Sequence, residues 1–445
     1  MKPFPHQITS IGNGVFFGTI PMERFQSSLI AVSLIVPLSS ETVTENALVS
    51  LMLGRSTADY PTYRLFSRNL NRLYGAVAGS SLQKLGDEES LTFAASTIDS
   101  GLALHGEDLL MESAKLVLSM VLHPLIEDGA FAEETFRLQK KYLADSIRAE
   151  INEKRRYAVN QTLRLMLGDE PGGLPLYGFL DKLEKITPQS AAEAYARILR
   201  ECRIEIIHVG TGDAKRIQPL FEEAFHDGFV EGRNPCTRPA FRPIPAPSSV
   251  KTASDDFEVV QSKLCIGYRV NLTPGGEELS AMRMMVAILG GTATSKLFLN
   301  VREKQGLCYY CGANLDRTKG IILIDSGVRP DKVEAAKEAI FREVEAMQKG
   351  EFTDEDIRFA LLSLQNTFRS VEESPFSVES YYRAQKVFGI KETPEDQCRK
   401  LSAVTREEIV KAANMLQLDT VYLLNGTASE GEAEEDCDGE VSYDG

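Results

Sequence analysis

Two residues in this 445-residue chain have the types and spacing to grip a peptide bond: Arg302 and Tyr309. A guanidinium offers planar, permanently charged donors and a phenol offers a hydroxyl, so together they can donate to a carbonyl oxygen. The elements that must position them are legible in residues 289–316, LGGTATSKLFLNVREKQGLCYYCGANLD. Gly290 and Gly291 break a preceding helix. Leu297, Phe298 and Val301 then recur at a spacing that gives a short amphipathic helix one buried face. Gly306 is the expected stop, and residues 307–314 follow as an extended segment. Arg302 thus falls near a helix end and Tyr309 at the start of a strand. By burial habits alone, the same spacing describes a surface Arg and a half-buried strand Tyr.

The wording of the stretch says more. The run SKLFLNVREKQGLCYY closely resembles the C-terminal-half signature of the insulinase/pitrilysin metallopeptidases, which include the mitochondrial processing peptidase. In that family a helix carries an Arg, a Gly follows, and a Tyr comes seven residues after the Arg. Arg302, Gly306 and Tyr309 stand at those positions. The resemblance implies that Arg302 and Tyr309 hold substrate backbone beside a zinc site supplied by the other half of a clamshell.

It also implies an H-x-x-E-H motif on the first helix, where two His bind zinc and the Glu activates water. Here the corresponding positions are Ala47 and Leu51 for the His pair and Ser50 for the Glu. None of the three can do that work. The family's third ligand falls near Asp145, and an isolated helical carboxylate is ordinarily solvated. The five histidines (His6, His105, His123, His208 and His226) include no pair one helical turn apart, so no bound metal is expected in this chain. His123, in HPLIEDGAF, resembles a structural connector of the family.

Other chemistries lack their residues. No nucleophile elbow, Walker loop or dinucleotide fingerprint follows a strand. The segment EPGGLPLYG at residues 170–178 resembles a family turn that positions backbone rather than phosphate. Cys308 and Cys311 form a lone C-x-x-C without the second pair a zinc knuckle needs. In a regular strand their side chains point to opposite faces, which argues against a metal site.

Composition sets the outer limits. A formal charge of −15 argues against a nucleic-acid partner, since a phosphate backbone demands a basic patch. No apolar run approaches the roughly 20 residues of a membrane helix, and the N-terminus reads as lacking a signal peptide. Seven scattered cysteines fit a reducing compartment, so a cytoplasmic location without membrane association is expected.

The order of elements repeats. Each half reads as strands, helices, a pair of strands, more helices and a closing strand, with one helix expected from Phe131 to about Leu167. FAEETF matches FTDEDI, LEKIT matches LSAVT, and Gly210-Thr211 matches Gly426-Thr427, all at nearly the same interval. The fold class is α+β: two related sandwich domains, each an antiparallel sheet with helices packed on it. The expected divisions are an N-terminal domain at 1–231, a Pro-rich linker at 232–255, a C-terminal domain at 256–428 and an acidic disordered tail at 429–445. With the resemblance, this implies a clamshell around a cavity. The chain then reads as the zinc-less, substrate-binding subunit of a heterodimeric peptidase whose H-x-x-E-H partner brings the zinc. It would not cleave peptides alone. A structural core-like subunit and a peptide-binding module without proteolysis are the alternatives.

Overall fold

The computed structural model describes residues 5–226, 228–236 and 247–427. The expected tail and the linker residues 237–246 lie outside the described residues. Among the described residues, no helix is long and apolar enough to cross a membrane.

The first sheet is built around Ser27–Pro37, whose residues 28–36 are all buried. Such a run is apolar without alternation because both of its faces are covered. Ile30, Val32 and Leu34 pack into the large core with helices Val43–Leu53 and Leu109–Leu122. Leu29 and Ile35 face the other way, toward Val378, Tyr382 and Val387 of the Pro375–Phe388 helix. The strand order is Gln7–Gly12, Val15–Pro21, Arg203–Gly210, Ser27–Pro37, Glu88–Ile98 and Val77–Leu85.

The second sheet runs Cys308–Asp316, Ile321–Val328, Ser262–Arg269, Gln417–Gly426 and Lys251–Phe257. It reproduces the first sheet without the Gln7–Gly12 strand. In each, the opening and closing strands of the repeat pair in parallel, and every other neighbour is antiparallel. The sequence landmarks fall on equivalent joints. Thr187 and Thr405 each close a capping box on the helix before the last strand. Gly210 and Gly426 each end that strand, where a Cβ would strike backbone at Ser27 and Val259 respectively. The α+β fold with two such domains is therefore as the sequence predicts.

Three expectations need correction. Residues 251–255, read as linker, belong to the edge strand Lys251–Phe257. The single helix from Phe131 is two helices, Glu133–Asn152 and Lys154–Leu167. The compact units also depart from a plain division at the linker: residues 151–168 belong to the second unit and 365–399 to the first. The reason is packing. Ala158 lies against Cys265, Tyr422 and Leu424, and Met166 fills the space left by Gly267, where a Cβ would sit 2.3 Å from its sulfur. Arg269, paired with buried Asp419, donates to the Met166 carbonyl at that helix's C-terminus. In the first unit, Arg383 donates to Glu379 at 2.8 Å and to Ser90 and Gln83, both at 3.1 Å. A buried guanidinium so fully bonded fixes its helix on the first sheet.

Glu89 is fully buried beside the helix Val43–Leu53, accepting from Asn46 Nδ2 at 3.0 Å. Burial raises its pKa to about 7, against the pull of the Asn46 hydrogen bond and the charges of Arg197 and Lys84. A carboxyl held above its unfolded value stabilises the fold fully below about pH 4.5, and that contribution is lost as pH rises through about 7. Glu89→Gln should match the wild type in acid and exceed it at alkaline pH by about 3 kcal/mol, since each tenfold change in proton affinity is worth about 1.4 kcal/mol. Denaturant unfolding of both proteins from pH 4.5 to 8 checks this, and parallel curves would sink it.

Candidate functional site

Leu297–Lys304 forms the short helix, wound with π-type hydrogen bonding. Leu297 and Val301 are buried, as the pattern demands. Phe298 is only partly buried and supports Arg302, whose guanidinium lies 4.6 Å from the ring centroid. Glu303 Oε1 stands 3.6 Å from Arg302 Nε. The Arg302 side chain is 40% exposed, oriented by a ring and a carboxylate rather than buried by them. At the other end, Lys296 pairs with Glu343 at 3.1 Å and donates to the Glu351 carbonyl.

Gly306 stops the helix at φ +58, a conformation that costs glycine nothing. Its N–H donates to the Arg302 carbonyl and that of Leu307 donates to Val301, which turns the chain directly into Cys308–Asp316. This strand forms one edge of its sheet. The preceding helix runs into a π-helical turn at Ala287–Gly291, the break expected at Gly290-Gly291. Gly290 is needed there because a Cβ would come within 2.6 Å of the Ala313 amide nitrogen.

Tyr309 has a placement that sequence periodicity does not reveal. In the ladder with Ile321–Val328, Cys308 faces Val328 and Tyr310 faces Gly327, so Tyr309 is the extra residue of a β-bulge. A bulge frees a side chain from strict alternation and re-aims it. Tyr309 is 46% exposed. Tyr310 turns instead toward two cations, with Arg155 4.3 Å and Lys263 5.5 Å from its ring centroid. Arg155 also pairs with buried Asp325 at 2.6 Å. Nothing in the sequence near Tyr310 signals Arg155, because the contact is made by a helix from the other half of the chain.

The same bulge overturns the reading that Cys308 and Cys311 point apart. Cys311 faces Ser326, two residues from Val328, so both cysteines lie on one face of the ladder. The pKa of Cys308 is lowered, chiefly by the neighbouring Cys311 thiol, and that of Cys311 is raised, chiefly by Cys308 and then by burial. The Arg302 charge lowers Cys308 further.

The first-half positions offer no comparable chemistry. Ala47, Ser50 and Leu51 lie on the Val43–Leu53 helix, the first two fully buried. Two of the three carry no donor atom, so this set does not fit zinc. Among the described residues, no three His, Cys, Asp or Glu side chains group to hold a metal ion. Asp145 is solvated and pairs with Arg148 one turn on. His123 caps the Leu109–Leu122 helix and meets Asp59 at 3.0 Å. In the 170–178 turn, the Gly172 and Leu174 carbonyls accept from Lys84 Nζ, which ties the turn to the Val77–Leu85 strand.

Residues 185–364 match the family model of the peptidase M16 inactive domain, a span that includes Arg302 and Tyr309. Over 429 residues the chain is 26% identical to the probable inactive metalloprotease YmfF of Bacillus subtilis, covering 95% of this chain and 99% of that one. An uncharacterized zinc protease of Mycobacterium tuberculosis is 23% identical over 317 residues, 70% of each chain. The fold is shared with a conserved Enterococcus faecalis protein, at TM-score 0.88 and 23% identity over 96% of this chain and all of that one. A peptidase M16 inactive domain from Pseudomonas fluorescens aligns at TM-score 0.77 and 16% identity, covering 95% and 99%.

The glycine pair offers a test of what positions Arg302 and Tyr309. Gly290→Ala places its methyl against backbone and should cost about 1–3 kcal/mol by overpacking. Gly291→Ala, whose nearest neighbour would be at 3.4 Å, should be near neutral. Thermal unfolding of both variants checks the contrast, and equal stabilities would refute the close approach.

Proposed function

From the match of residues 185–364 to the peptidase M16 inactive domain, we propose that this chain is the substrate-binding, zinc-less subunit of a heterodimeric zinc peptidase. Its partner is a homologous chain with an intact H-x-x-E-H helix, which supplies the zinc and the activated water. One observation carries the reading. Arg302 and Tyr309 are both solvent-accessible and flank one tight Gly306 turn, whereas the metal positions hold Ala47, Ser50 and Leu51.

An extended peptide pairs with the edge strand Cys308–Asp316, taking main-chain hydrogen bonds from the sheet edge. Arg302 and Tyr309 donate to a carbonyl at or beside the scissile bond. Phe298 holds the guanidinium in place before the peptide arrives, so less side-chain entropy is lost on binding. The bulge lets Tyr309 reach the same carbonyl instead of following the strand's alternation. These residues bind and orient the peptide without metal in this chain. The same exposed strand would also serve a binding module that never cleaves, and the partner decides between the two.

Affinity capture of the tagged chain should bring down a similar-sized H-x-x-E-H protein at one-to-one stoichiometry, with one zinc per pair. Capture of the chain alone, free of zinc and binding peptide tightly, would favour the module. In the assembled pair, Arg302→Ala and Tyr309→Phe should each lower kcat/KM about 10²-fold, if the donors act on the developing oxyanion. A raised KM with kcat intact would limit them to holding the ground state. Unchanged kinetics in both variants would remove the assignment.

A further inference from the structure

Cys308 and Cys311 are not used by the peptide-holding arrangement, yet the bulge at Tyr309 builds them into a pair. In a regular ladder, residues three apart would face opposite ways. Here the cysteines oppose Val328 and Ser326, so they share a face of the ladder two rungs apart. They also differ in access: Cys308 is half-buried, while Cys311 is buried. The Arg302 charge lowers the pKa of Cys308. From the shared face and the unequal access of a C-x-x-C pair, we infer that Cys308 and Cys311 form a thiol–disulfide exchange site. Its co-substrate is a low-molecular-weight disulfide of the glutathione class.

The roles follow from the local environment. A thiol near a cation is the better nucleophile, because the thiolate is the reactive form. Cys308 is that residue, its pKa lowered by the neighbouring Cys311 thiol and by Arg302. Its thiolate attacks one sulfur of the disulfide, breaking the S–S bond and expelling one glutathione thiolate. Cys311 then gives up its proton, which the expelled thiolate takes, and attacks Cys308 Sγ. The second glutathione thiolate leaves and takes the proton first released by Cys308. Two protein thiols are oxidised by two electrons, and one disulfide is reduced to two thiols. The product ties the two ends of the bulge together, on either side of Tyr309.

The test needs neither peptide nor partner. The full chain is equilibrated with mixtures of reduced and oxidised glutathione, quenched in acid, alkylated and cleaved with trypsin. Both cysteines fall in the one peptide of residues 305–317, so an internal disulfide leaves that peptide unalkylated and two hydrogen atoms lighter than the free dithiol, whereas the reduced form carries two alkyl groups. The expected result is conversion to the internal disulfide, complete before buried Cys202 or Cys265 is modified. Cys311→Ser should trap a single glutathione on Cys308, whereas Cys308→Ser should leave Cys311 at least tenfold slower to react. A wild-type peptide that stays a dithiol at every ratio would overturn the inference. Equal reactivity of the two cysteines in the single variants would do the same.

Discussion

The outer ladder of the second sheet carries one more residue on its exposed strand than on its partner. That single excess sets most of what is distinctive here. It takes Tyr309 out of alternation and leaves it accessible. It sends Tyr310 to the opposite side, between Arg155 and Lys263. It also folds Cys308 and Cys311 onto a common face. The bulge can form because the chain enters the strand through the tight Gly306 turn, with the helix behind it seated close to the sheet at Gly290. A bulge at the start of an edge strand interrupts few ladder hydrogen bonds while it bends the strand and increases its local twist.

The first half shows what happens where such a constraint is absent. Its first helix packs into the core, and at the positions where the resemblance implies a zinc motif stand Ala47, Ser50 and Leu51. Next to them, buried Asn46 and Glu89 form a polar network with part-buried Arg197, Arg197 donating to Asn46 at 3.0 Å and Asn46 to Glu89. A network of this kind specifies one arrangement of side chains at some expense in stability.

Much of this is legible in the sequence, for identifiable reasons. The repeat is visible because capping residues and closing glycines are set by local geometry that side-chain drift does not relax: Thr187 with Thr405, Gly210 with Gly426. Arg302 and its helix are visible through apolar spacing and the Gly306 stop. The cysteine geometry is not, because a bulge leaves no mark on composition and inverts every parity argument beyond it. The Arg155–Tyr310 contact is also invisible, since it joins segments far apart in the chain. The break at Asn152–Lys154 is hidden because both helices on either side favour continuing, and only tertiary packing divides them.

The crossing of segments between the two units bears on how the chain is made. The first sheet's second face is covered by Pro375–Phe388, so that unit remains incomplete on a ribosome until nearly the whole chain has emerged. At roughly 5–20 residues per second, the Leu29 and Ile35 face would stay uncovered for many seconds after its strand had formed. Meanwhile Lys154–Leu167, made early, waits for a sheet that does not yet exist. Neither half of the gene therefore encodes a self-sufficient folding unit. A break in the linker would leave each fragment with an apolar face meant for a helix on the other.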